Sequence, residues 1–426
     1  MRSELTRLTV LLLLCCASAA WPLDKLRYHN LQIDNQGKIV PWFSPAEKAF
    51  DNYLDRCWDW ALSAPPDSNG LPISFLYCAW KPGEPPSASP EWENDAGEKI
   101  PNWVESARLY YQYSGNRAPL DYVKRLVDYS LEHGQTPSDH AWPDFPVGTS
   151  NAGDTGFRGF TGRWKLWDCH VDLAADIGFA LYRMHQLYGE RRYLEKAVHV
   201  ADLLAARIRP GTAEESPWPY VVNSLTGKSS SRYAASWDGA LMLFDLLVRN
   251  GQGRVADYER ARVMLKEWLL AYPMRNGRWV DGHSDTWIDG NTNLSTTCAS
   301  DMCLYLFDNP GWDPAFKADA EALIRWTEDN FVLQPTPDSL PGQFHGAYVP
   351  AEQTAYNYRM GYQAARLGAQ YAQWYKVSGD EKYRDRAYRC LVYNTYMMQE
   401  NGQSSDGPTD EVGWWWSDCY GEAPRM

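Results

Sequence analysis

The sequence predicts an all-α chain of six helical hairpins closed into a ring, an (α/α)6 barrel with its long loops at one end. Three observations carry this. Helical segments open near Asn102, Asp168, Arg232, Leu294, Glu352 and Ser417, at steps of 66, 64, 62, 58 and 65 residues. Within a pair the turn is short and built on glycine, whereas the segments joining one pair to the next are long. Many of the 21 Trp, 27 Tyr and 12 Phe fall in those long segments and in the helix starts that follow them.

Taken in chain order, residues 1–20 read as a secretory signal: Arg2 and Arg7 precede the apolar run 9–16, and the small residues 17–20 follow it, with cleavage near Ala19 or Ala20. Residues 21–426 then form a single domain, in which the pattern Pro45–Trp60 gives the first helix. The hairpin turns are 114–116, 188–190 and 378–380, each with Gly where a left-handed residue ends the first helix. Long connections run roughly through 65–101, 134–167, 209–231, 273–293, 333–351 and 400–416. In an up-down series, short and long links that alternate place every long one at the same end. The sixth hairpin starts at Ser417 and runs only to Met426, so the last hairpin reads as truncated: either the sequence is cut short there or the ring closes with a stub, with the helix at 45–60 as the sixth hairpin's partner.

Composition narrows the function. The chain has 426 residues, a net charge of -13, 44% hydrophobic and 22% charged residues. An acidic chain lacks the clustered Lys and Arg that displace phosphate counterions, which excludes duplex nucleic acid as a partner. No segment other than the signal approaches a membrane span, so a secreted or periplasmic protein with no membrane contact after cleavage is expected. Of the nine Cys, Cys15 and Cys16 leave with the signal and an odd number remains, so this is no disulfide scaffold. Cys298 and Cys303, five apart on one helix, lie too far apart to bridge. Asn293-Leu-Ser295 is the single glycosylation sequon.

Hairpin period, Trp-rich helix starts and long loops together resemble the six-hairpin glycosidase-like superfamily, over nearly the whole mature chain. That resemblance implies an exported enzyme acting on a polysaccharide or oligosaccharide, by hydrolysis or by elimination. It carries no catalytic signature onto particular residues.

The chemistry is read from the helix starts and long loops, where a rigid scaffold concentrates binding groups. Trp167-Asp168-Cys-His170-Val-Asp172 is the densest cluster. Spacing of i, i+4 and i+8 puts Asp168, Asp172 and Asp176 on one helix face, where like charges repel and one carboxyl stays protonated. Asp238 occupies the equivalent place in the next hairpin and supplies the second carboxyl that glycoside hydrolysis requires. Glu352, Tyr356 and Arg359 share a predicted face of the fifth inner helix. This triplet reads two ways: for a hydrolase, Glu352 is an acid and Arg359 a carboxylate binder; for a lyase, Tyr356 is the base, with His170 or His283 as alternatives. Trp142, Trp167, Trp237 and Trp415 offer flat rings to sugar faces.

Neither zinc spacing nor a phosphate-binding glycine pattern occurs, so no metal and no cofactor is expected. Asp289-Gly-Asn291-Thr-Asn293 matches the opening of a calcium loop, yet Leu294 replaces its turn glycine and Ser300 its closing Glu, which leaves calcium a minor alternative. The expected function is therefore hydrolysis of a glycan, uronate-containing or neutral, by paired carboxylates: Asp168, Asp172, Asp238 and Glu352. A polysaccharide lyase and a non-catalytic glycan-binding protein are the alternatives.

Overall fold

The computed structural model describes residues 29–64, 66, 71, 94–150, 166–281, 292–332, 343–355, 359–404 and 418–426. Twelve helices carry the architecture of these residues. They are α1 (Ala49–Ser63), α2 (Ala96–Ser114), α3 (Ala118–His133), α4 (Val171–Tyr188), α5 (Arg191–Arg207) and α6 (Asp238–Arg249). The second half holds α7 (Val255–Ala271), α8 (Thr296–Asp308), α9 (Phe316–Phe331), α10 (Gly361–Ser378), α11 (Glu381–Thr395) and α12 (Asp418–Arg425).

The even-numbered helices form the inner ring. Each packs on the next, from α2 through α4, α6, α8 and α10 to α12, and α12 packs back onto α2. Odd-numbered helices form the outer layer, with α1 against α12 as the partner of the sixth hairpin. The expected six-hairpin barrel is present, and a stub closes it. Eight residues suffice because Gly421 lies against the fully buried Trp103, where a Cβ would come within 2.6 Å of its ring.

Small residues let the inner helices approach. Along α4, Ala174, Ala175 and Gly178 are buried, and a Cβ on Gly178 would sit 2.9 Å from both Leu243 of α6 and Val200 of α5. Gly189 and Gly379 end α4 and α10 in the left-handed conformation, at φ 71° and 70°, as the turn chemistry predicts.

The inner helices α4, α6, α8 and α10 begin later than the periodicity suggests, with extended residues ahead of them. Asp168–His170 forms β1, paired antiparallel with β2 (Val221–Asn223), which pairs with β3 (Ser229–Ser231). Isolated bridges join Ser295 to Gln353 and Ala351 to Arg359 ahead of α8 and α10. Asp168 therefore lies on a strand and shares no helix face with Asp172 and Asp176. The predicted Glu352–Arg359 helix face is likewise absent, since α10 starts at Gly361.

Many of the aromatic rings expected in a funnel pack the core instead. Trp142 is buried against Phe145, with centroids 4.9 Å apart and the Arg207 guanidinium over its other side. Trp237 is buried against Trp218 at 5.1 Å and donates its Nε1–H to Ala234 O. These contacts correct both residues from substrate platforms to core. Cys57, Cys169, Cys298, Cys303 and Cys390 are buried in the core. Among the described residues no helix is long and apolar enough to cross a membrane.

Candidate active site

Every inner helix starts at the end that carries the long connections, and the acids converge just inside that end. On the first turn of α4, Asp172 is buried and its Oδ2 accepts the Ser236 hydroxyl at 2.6 Å. One turn deeper, Asp176 presses its carboxyl onto Gly239 at the start of α6. A Cβ at Gly239 would collide with that carboxyl and come within 3.0 Å of the Asp176 backbone, so only glycine admits this approach. Asp238, the neighbour of Gly239, is the first residue of α6.

Two carboxyls so close do not both ionise readily. Burial, followed by the charges of Asp238, Asp172, Asp301 and Asp281, pushes Asp176 well above the usual carboxylate range. Burial and the charge of Asp301 push Asp238 up to about 7, against the opposing pull of Arg425 and Arg366. The arrangement keeps a proton on the Asp176–Asp238 pair near neutral pH. Asp301, midway along α8, is ion-paired with the fully buried Arg366 of α10.

The opposite side of the ring holds its acid differently. Glu352 is buried; its Oε1 accepts the Tyr362 hydroxyl at 2.5 Å and its Oε2 accepts Gln353 Nε2 at 3.0 Å. Gln353 Oε1 in turn accepts Asn293 Nδ2 at 2.7 Å, and Thr296 N donates to Glu352 O at 2.8 Å to fix the start of α8. Asn293 is fully buried in this network, so the sequon is closed to a glycan in the folded chain.

The other expected site residues divide. Asp168 is buried, its Oδ1 accepting Asn223 Nδ2 at 2.9 Å across the β1–β2 pair. His170 caps the start of α4, buried edge-on to Tyr220 at 4.7 Å. Trp167 is half-buried in the left-handed region at φ 69°, edge-on to His140 at 5.1 Å. Arg359 is half-buried beside Tyr393, and burial holds its guanidinium below its usual pKa. His283, Tyr356, Trp415 and the calcium-like stretch 289–291 lie outside the described residues. No group of three or more His, Cys, Asp or Glu among the described residues is arranged to hold a metal ion.

Sequence reasoning missed Asp301, Arg366 and Ser236. For the first two a signal existed: each is a charge inside a helix whose neighbours are otherwise apolar or small, which implies a buried partner.

The sequence matches no protein-family model and no curated protein. Its fold does match solved structures. Cellobiose 2-epimerase from Spirochaeta thermophila superposes with a TM-score of 0.58 at 14% identity, over 88% of this chain and 94% of that one. A D-mannose isomerase gives 0.63 at 11% identity, over 88% and 96%. An unsaturated glucuronyl hydrolase specific for heparin gives 0.52 at 12% identity, over 89% and 95%. The (α/α)6 ring is thus a fold that the chain shares with these solved structures.

Proposed function

We propose that the protein is an exported carbohydrate-active enzyme, a single catalytic domain that hydrolyses a glycosidic bond with paired carboxyl groups. The carrying observation is the approach of the Asp176 carboxyl to Gly239, beside Asp238 on the first turn of α6. It supplies a carboxyl that holds its proton near neutral pH, which is what protonating a leaving glycosidic oxygen demands. In this reading Asp238 donates that proton, and Asp172, oriented by Ser236, acts as base or nucleophile. Glu352 frames the opposite wall, and the half-buried ring of Trp167 offers a flat face to a sugar. The named activities of the structural neighbours, all on carbohydrates, support the substrate class. Export rests on the apolar segment at 9–16. No cofactor is required by this chemistry.

A second reading, isomerisation of a sugar, is favoured by His170. A base at the start of an inner helix can move a proton beside a carbonyl, and two of the neighbours are a sugar epimerase and a sugar isomerase. One experiment separates the readings: purified protein is incubated with neutral and acidic glycans, and reducing ends, ultraviolet-absorbing products and sugar composition are followed together. New reducing ends without absorbance support hydrolysis. Unsaturated products would replace it with elimination, and an altered sugar with no cleavage would replace it with isomerisation.

A further inference from the structure

Asp238 is reached from the end of the ring opposite the long connections. A cavity of about 160 Å³ runs lengthwise inside the ring and ends at the finish of the inner helices, opposite the long connections. Its lining follows helical spacing: Asp238, Met242 and Arg249 at i, i+4 and i+11 along α6, and Asp301 and Asp308 at i and i+7 along α8, with Arg183 from α4. Eleven residues of helix span about 17 Å, so the cavity extends the full length of α6. Arg249 and Asp308 at its outer end are exposed.

We propose that this cavity is a hydrated passage by which Asp238 exchanges protons with solvent at the far end of the ring while a glycan covers the near end. The proposal rests on the hydrolytic reading above. A buried water needs on the order of 10–15 Å³ and two to four polar partners, and both the volume and the Asp and Arg lining meet that need. The bore is too small for a polymer. With Asp172 as the base, each turnover moves one proton from the Asp238 carboxyl to the leaving oxygen and one from the attacking water to Asp172. Asp172 then releases its proton to solvent at the near end, and a proton relayed through the passage from bulk water restores Asp238. The charged groups acting on Asp238 are Asp176 of α4, Asp301 of α8, Arg366 of α10 and Arg425 of α12. Along the passage Asp238, Asp245, Asp301 and Asp308 alternate with Arg183, Arg249 and Arg425, so the lining offers both proton acceptors and donors to water.

Met242→Trp fills the passage at mid-length and Met242→Leu conserves it. On a long polymer at saturation, Met242→Trp is expected to lower kcat on the order of tenfold, within the range of general-acid effects, with KM unchanged. Met242→Leu retains native kcat, and a short oligosaccharide that leaves the near end open shows no difference among the three proteins. Equal kcat for Met242→Trp and native protein on the polymer overturns the proposal; if that variant fails to fold, Leu304→Phe plugs the same bore. A crystal structure gives a readout independent of activity. Ordered waters between Asp238 and Arg249 are expected in native protein and are lost in Met242→Trp. A dry passage overturns the proposal whatever the activity, whereas a hydrated one in a protein that cuts no glycan overturns the hydrolytic reading and leaves the passage standing.

Discussion

The two walls of the ring treat a buried carboxyl in opposite ways. At the start of α10, Glu352 receives a hydroxyl and an amide N–H, and the amide is itself held by Asn293. Across the axis, Asp176 receives Asp238, another acid, and further acids stand behind it. Donors on the first wall satisfy the carboxyl oxygens and pin the loop ahead of α8 and α10. Burial and the charge of neighbouring acids on the second wall favour a protonated carboxyl. A buried carboxyl near the mouth of the ring is thus held by donors on one side and crowded by other acids on the other, and the neighbours decide which.

The sharpest way to break this contrast is to neutralise one acid on each wall. Asp238→Asn is expected to lower kcat/KM at least 100-fold on any glycan the native protein cleaves, because it removes a general acid. Glu352→Gln should retain most activity, its cost appearing as lower stability. Steady-state rates paired with chemical denaturation decide the matter, and the contrast fails if Glu352→Gln is the inactive protein. Gly239→Ala comes next. Its Cβ drives Asp176 off α6, so activity should fall on the order of tenfold or more and unfolding should come about 1–3 kcal/mol sooner, the usual cost of overpacking.

A smaller effect probes the frame alone. Tyr362→Phe removes the hydroxyl bound to Glu352 and leaves one oxygen of a buried carboxylate short of a donor. That costs about 1–3 kcal/mol, read as a lowered denaturant midpoint with kcat preserved. Unchanged stability would mean that the Glu352 wall does not frame the site.

How much of this contrast was legible beforehand follows from the range of the forces involved. Hairpin period, glycine turns and the place of the long connections are local, and they led to the barrel, with closure by a short sixth inner helix as one of two readings of its end. Asp172 and Asp238 stand at helix starts, as the sequence pattern places them. Asp168 was misplaced on the helix because its extended conformation depends on pairing with Asn223, which lies far along the chain. Trp142 and Trp237 were read as sugar platforms because a ring's burial depends on neighbours from other hairpins, Arg207 and Trp218 among them. The pairing of Asp176 with Asp238 was invisible for the same reason, since it hangs on a glycine whose need appears only when two helices meet.

The smallest expected effect tests the stored proton directly, without any substrate. Folding raises the Asp238 carboxyl from its ordinary value of 3.8 to about 7, so the folded state binds this proton more tightly than the unfolded chain. Its contribution to stability is therefore full below the unfolded value and is lost as pH rises through about 7. Asp238→Asn cannot titrate and escapes that loss. With the shift shared across a coupled pair, native protein should lose on the order of 2 kcal/mol relative to the variant between mildly acidic and mildly alkaline pH. Denaturation midpoints of both proteins across that window measure the difference. Parallel curves would show that the α4–α6 wall holds ordinary ionised carboxylates, and the distinction between the two walls would then reduce to their hydrogen bonds alone.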